Sequence, residues 1–125
     1  MTMLNLDQLA AQYAQKIVAA GGAEIENLIT KTLGVLQEQG VYACLLFLSS
    51  RTSSNEKSLA EKSRPHLYGL LQELPAFREA EISDANALAF FSDNICGDLD
   101  TLLLVRELYE QTLIYARYGA KAAGK

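Results

Sequence analysis

The eight residues Val41 to Leu48, VYACLLFL, are apolar on every side, and Gly40 stands directly before them. Such a run has to be buried, but periodicity cannot separate a buried strand from a buried helix. The rest of the chain decides. No second segment has the pattern of a strand, and a lone strand would leave its N–H and C=O groups without a ladder partner. The run is therefore predicted as a central buried helix, and the chain as all-α: a compact single-domain bundle of about five to six helices over residues 1–125.

Helical stripes on either side agree. Asn5 with Gln8 three residues on has the spacing of a capping box, and Leu6, Leu9, Ala10, Tyr13, Ala14 and Ile17 follow until Gly21-Gly22. Ile25, Leu28, Ile29, Thr32, Leu33 and Leu36 form a second stripe that ends at Gly40. Residues Arg51 to Ser63 are the one polar stretch, serine-rich with mixed charge, and are predicted as an exposed loop with at most one helical turn. Ser63-Arg64-Pro65 resembles a cap with proline in the first turn, opening a short helix through Leu67, Leu70, Leu71 and Leu74 to Pro75. Ser83-Asp84 is predicted to open the next, with the face Ala85, Leu88, Ala89, Ser92 and Ile95 and a stop at Gly97. Asp98 or Asp100 starts the longest helix, predicted to reach about Gly119 with Leu104, Val105, Leu108, Thr112 and Tyr115 deepest.

A chain of 125 residues, half of them apolar, can close one core without disulfides or metals. Cys44 and Cys96 lie far apart in apolar helical patterns, with no Cys-x-x-Cys pair, which fits reduced thiols in the cytoplasm. The longest apolar run is too short to span a bilayer, and residues 1 to 7 lack the basic and apolar regions of a signal peptide. No membrane association is expected.

The chemistry of a catalytic or metal centre is missing. His66 is the only histidine and has no ligand set around it in sequence, and no serine sits in a Gly-x-Ser-x-Gly elbow. Gly21-Gly22 belongs to no phosphate-binding glycine motif. The acidic pairs Glu24 with Glu26 and Asp98 with Asp100 fall at helix starts, where they complement the dipole. No catalytic residue, metal, cofactor or small-molecule substrate is predicted, and function is expected to be binding.

Net charge is -4, but its distribution is uneven: 0 over residues 1–71, -7 over 72–110 and +3 over 111–125. Phosphate binding needs a local excess of Lys and Arg. Arg51, Arg64, Arg117 and Lys121 have few acidic neighbours in sequence and are the candidate phosphate contacts, with Lys16 the one basic residue of the first helix. Lys57 and Lys62 alternate with Glu56 and Glu61 as on a solvated face. Tyr109, Tyr115 and Tyr118 could stack on bases, although tyrosines at helical spacing more often enter a core.

Taken in order, AAQYAQKIV, then LGVLQEQG running directly into VYACLLFLSSR, then HLYGLLQEL after a polar loop, then LIYARYGAKA, resemble the small helical subunit of Cmr-type (type III-B) CRISPR ribonucleoprotein effector complexes. The small subunit of Csm-type complexes is a near neighbour. The resemblance spans nearly the whole chain, with one departure: family members tend to carry a basic residue where this chain has Leu9, Ala10 and Ala11. It implies a non-catalytic structural subunit of an antiviral complex. Its expected partners are other protein subunits, copies of itself, and the guide RNA and target RNA. The competing expectation is a helical adaptor that binds only protein.

Overall fold

In a computed structural model, residues 5–124 form six α-helices in the order α1 (Leu6–Gly21), α2 (Glu26–Gln39), α3 (Val41–Ser49), α4 (Ser54–Gln72), α5 (Ala87–Asn94) and α6 (Leu99–Ala123). Two 3₁₀ turns, Gly22–Ile25 and Pro75–Phe77, join them, and the described residues contain no strand. Residues 1–4, where the expected lack of a leader would be read, and Lys125 lie outside the described residues.

The first two helices form as their sequence dictates. The Asn5 side chain accepts a hydrogen bond from Gln8 N at 3.0 Å, satisfying one of the unpaired donors of the first turn of α1. All six apolar-stripe positions from Ile25 to Leu36 are buried, and Thr32 meets its burial by donating to the Leu28 carbonyl at 2.7 Å. Gly40, with φ 99° and ψ -173°, makes the corner between α2 and α3 in backbone space that other residues avoid.

Val41 to Leu48 is a helix, but not a wholly enclosed one. Val41, Cys44, Leu45 and Leu48 are buried while Tyr42 and Leu46 are exposed. With so short a helix, α3 packs one side on the bundle and leaves the other without cover.

The predicted loop from Arg51 to Ser63 is mostly helix. Ser53 caps α4, its hydroxyl accepting from Glu56 N at 3.3 Å, and the helix then runs unbroken through Pro65. Composition hid this because Leu59 and Ala60 are the only apolar residues of the first half, yet both are buried and in register with Leu67, Leu70 and Leu71. Ser63 is not a cap; it is buried mid-helix and donates to the Leu59 carbonyl at 2.8 Å. Pro65 faces outward; it forfeits the bond to the Glu61 carbonyl and its ring crowds that oxygen, a cost offset by the buried stripe of Leu59, Ala60, Leu67, Leu70 and Leu71.

α5 starts later than expected, and of the expected face only Ile95 is buried, with Leu88 partly covered. Ser83 N bonds the Asn86 side chain and Asn86 Nδ2 bonds the Glu81 carbonyl, holding a turn before Ala87. The buried residues are Ala87, Phe91 and Ile95, whereas Ala85, Ala89 and Ser92 are exposed. The Phe91 ring decides the face, lying 6.5 Å from Tyr68 and 6.3 Å from Tyr109 between ring centroids.

Asp98 caps α6, accepting from Thr101 N at 3.1 Å. Gly119 does not end this helix. A Cβ there would lie 3.2 Å from Val18 Cγ2, so the glycine lets α1 and α6 approach. Of the positions predicted deepest, Val105, Leu108 and Thr112 are buried, while Leu104 and Tyr115 sit nearer the surface.

α6 organises the bundle. α1 runs parallel to it, with Leu6 beside Leu104 and Leu108, Val18 beside Gly119 and Ala23 beside Gly124. α2 runs antiparallel, with Gln37 reaching Glu110 and Glu26 reaching Lys121. α4 is antiparallel to α1: Tyr13 lies against Gly69 and bonds Glu73, and Gly21 lies against Leu59. A Cβ on Gly21 would come within 2.8 Å of Ile25 Cβ, so this corner closes only with glycine. One apolar cluster draws on all six helices.

Candidate nucleic-acid interface

The five predicted phosphate contacts do not form one edge; they fall in three places. Arg51 and Arg64 meet at the C-terminal end of α3, a helix with no charged side chain of its own, whose last carbonyls are satisfied from elsewhere. Arg51 Nε donates to the Phe47 carbonyl at 2.9 Å, its guanidinium lies 3.7 Å over the Phe47 ring, and Nη1 is 3.7 Å from Glu56. Arg64 Nη1 donates to the Leu48 carbonyl at 2.8 Å, while Nε and Nη2 hold both oxygens of Asp84 at 3.0 and 3.1 Å. The Arg64 side chain is only 11% exposed. These two arginines cap a helix, and three of the five N–H groups of Arg64 are already engaged.

Asp84 also accepts from the Tyr68 hydroxyl at 2.8 Å. The Arg64 guanidinium, with help from that hydroxyl, holds the Asp84 carboxyl below the usual carboxylate range. Burial, and then the Asp84 carboxylate, push the Tyr68 phenol up. The group straps residues 78–86 to α4, together with a bond from Gln72 Nε2 to the Ala80 carbonyl at 2.8 Å. Lys31 and Glu56 form a further pair at 2.8 Å, and that ammonium holds Glu56 below its ordinary value.

Lys16 is exposed on α1, with its ammonium 4.1 Å from the centroid of the Tyr13 ring. Burial, and behind it the charge of Lys16, hold the His66 imidazole below its ordinary pKa, so His66 adds no charge there at neutral pH. Lys62, which sequence reasoning passed over because Glu61 adjoins it, stands on the same side of α4 one turn before His66. The signal that could have found it is that i, i+4 spacing on a single continuous helix.

Arg117 and Lys121 occupy the last turns of α6. Arg117 is half-buried with its Nε enclosed and unbonded, and Lys121 approaches Glu26 only to 3.9 Å. Among the described residues, Lys16, Lys62 and Arg117 have no carboxylate within salt-bridge distance. The tyrosines separate by role. Tyr109 is core and donates to the Leu67 carbonyl at 2.8 Å, Tyr115 bonds Asp7, and Tyr118 is 66% exposed beside Arg117.

The described residues contain no cluster of three or more His, Cys, Asp or Glu able to hold a metal ion, and no helix long and apolar enough to cross a membrane. No protein-family model, curated protein or solved structure matches the chain.

Proposed function

We propose that the chain is a non-catalytic, cytoplasmic subunit of a Cmr-type CRISPR RNA-guided effector complex that packs beside other protein subunits and helps seat the guide-target RNA duplex. The observation that carries this reading is the C-terminal part of α6. There Arg117 and Lys121 have weak or no carboxylate partners and adjoin the exposed ring of Tyr118. Cations that can leave their neighbours for phosphate, with an aromatic face beside them, are the elements of sequence-tolerant RNA contact. The helix order also fits the resemblance. The acidic residues between 72 and 110 would turn toward protein, since they repel phosphate.

One patch of this size binds weakly. Isolated protein is expected to bind single-stranded RNA with a dissociation constant on the order of 10⁻⁴ to 10⁻⁶ M and marked salt sensitivity, with useful affinity only when several copies act together. The test is Arg117→Ala with Lys121→Ala, measured as target-RNA retention by the assembled complex across a salt series. Lower retention with a shallower salt slope supports the reading. Unchanged retention, with Lys16 and Lys62 also replaced, leaves the protein-only adaptor, which the exposed leucines of α6 and α3 favour.

A further inference from the structure

The N-terminal half of α6 borders two adjoining hollows that share Leu6 and Leu104. The first, of about 220 Å³, has an apolar floor of Leu6, Leu104 and Leu108 and two exposed carboxylates on its rim, Asp7 and Glu107. The second, of about 370 Å³, is walled by Leu74, Pro75 and Phe77 from the segment after α4, and its one polar lining residue is Thr101.

Charge around the hollows has one sign. Asp7 accepts from the Tyr115 hydroxyl, and among the described residues neither it nor Glu107 has a cation within salt-bridge distance. Asp98 and Asp100, at the start of α6, add to the acidity. The nearest basic residues are turned elsewhere. Arg106 donates to the Gln37 carbonyl at 2.9 Å on the α2 side, where Gln37 Nε2 also holds Glu110 at 3.1 Å. Arg78, exposed just beyond Phe77, lines neither hollow and has Glu79 beside it.

We propose that these hollows dock a helical segment of a different protein, which sets an apolar side chain in the second hollow and a lysine or arginine in the first. The occupant follows from what each hollow offers. A long basic side chain covers the leucine floor with its methylenes and brings its charge to Asp7 and Glu107, whereas both carboxylates repel a phosphate. An aliphatic or aromatic side chain fills the second hollow, where no charge is available. Along α6, the midpoint between Thr101 and Leu104 and the midpoint between Leu104 and Gln111 are about 8 Å apart, between one and two helical turns. An amphipathic helix holds an apolar and a basic residue on one face at nearly that spacing, and the length of the basic side chain makes up the difference.

So small a contact is weak by itself, with a dissociation constant on the order of 10 to 100 μM. The inference gives the chemistry of one protein partner for the acidic side of the chain. It holds equally for an effector subunit and for an adaptor, and its test contains no RNA, so the two readings fail separately.

The whole chain, labelled with nitrogen-15, is titrated with a capped peptide of about 16 residues, built on alanine and glutamine and carrying two pairs of leucine and arginine at i, i+4 spacing. Saturable shifts are expected at the amides of Leu6, Ala76, Leu104 and Glu107. A second peptide with glutamate in place of arginine should bind about tenfold more weakly. Glu107→Lys, on the exposed side of α6, should weaken the arginine peptide about tenfold and bring the two peptides within about threefold of each other. No binding at about 1 mM peptide, shifts centred on α3, equal binding of the two peptides by wild type, or an unchanged arginine preference in Glu107→Lys overturns the proposal. Concentration-dependent shifts at the same four amides without peptide would make a second copy the occupant, and that outcome overturns it as well. Circular dichroism checks that Glu107→Lys keeps its helicity.

Discussion

Replacing Arg64 with Ala separates a structural arginine from an RNA-binding one. The substitution removes three hydrogen bonds, two to Asp84 and one to the Leu48 carbonyl, along with a side chain that is almost wholly covered. The carboxylate of Asp84 is 54% exposed and returns to water, so the ion pair itself contributes only about 0.5–1 kcal/mol. The Leu48 carbonyl at the end of α3 loses a charged donor, at about 1–2 kcal/mol. Loss of the packed aliphatic stem adds about 1 kcal/mol. The sum, about 3 kcal/mol, should lower Tm by about 10 °C for a chain of this length. Asp84→Ala should cost less, and a double-mutant cycle should return a coupling of about 0.5–1 kcal/mol.

The coupling carries a pH signature. Arg64 holds the Asp84 carboxyl below its ordinary value, so its stabilisation is complete above about pH 4 and is lost as pH falls through the lower folded value. Thermal melts of wild type, both single variants and the double variant at pH 7 and near pH 2 measure it. A destabilisation below about 1 kcal/mol with no coupling would refute the capping role. Lost RNA retention at unchanged Tm would return Arg64 to the interface.

Three further outcomes follow from particular residues. Gly40→Ala should cost about 1–3 kcal/mol in denaturant melts, because alanine cannot hold φ 99° with ψ -173° without strain; a neutral substitution would mean that the α2–α3 corner adopts another geometry. In the native protein a thiol reagent such as Ellman's should titrate one cysteine and reach the second only after unfolding, since Cys96 is exposed while burial pushes the Cys44 thiol up to about 12. Trypsin should cut first after Arg78, which is exposed in the non-helical segment before α5; first cleavage after Lys57 or Lys62 would show that residues 54–63 are not helical.

The first two helices were legible because each rests on a local signal, and Val41–Ser49 was legible as helix only because no second segment could pair with it as a strand. Asn5 caps, Gly40 turns a corner, and the apolar stripe between them has one period. Where the reading failed, a weak local pattern was completed by distant residues. The first half of α4 offers two apolar side chains in nine residues, and its helix is fixed by what Leu59 packs on at Gly21, 38 residues away. α5 shows the same thing in reverse. Asp84 has the position of a helix cap, but its carboxylate is drawn to Arg64 and Tyr68, and helix starts only after the Ser83–Asn86 turn. Pro65 misled for a simpler reason, since proline on the outer side of a long helix loses one bond that tertiary packing can offset.

The candidate site was harder to read, because freedom from ion pairing is a property of three dimensions. Arg64 has no acidic residue within two positions, yet its partner Asp84, 20 residues on, takes two of its donors and a carbonyl takes a third. Lys62 adjoins Glu61, yet consecutive helical residues point about 100° apart and the two do not pair. Counting acidic neighbours along the chain therefore selects arginines that other parts of the fold have already claimed. Counting i, i+4 neighbours on a finished helix asks only about one helix, and applied to α6 it leaves Arg117 and Lys121 one turn apart with no acidic residue between or after them in sequence, although Lys121 still approaches Glu26 of α2 to 3.9 Å. If the chain meets phosphate, these two should dominate the salt slope, and Arg64→Ala should change it only as far as it unfolds the protein.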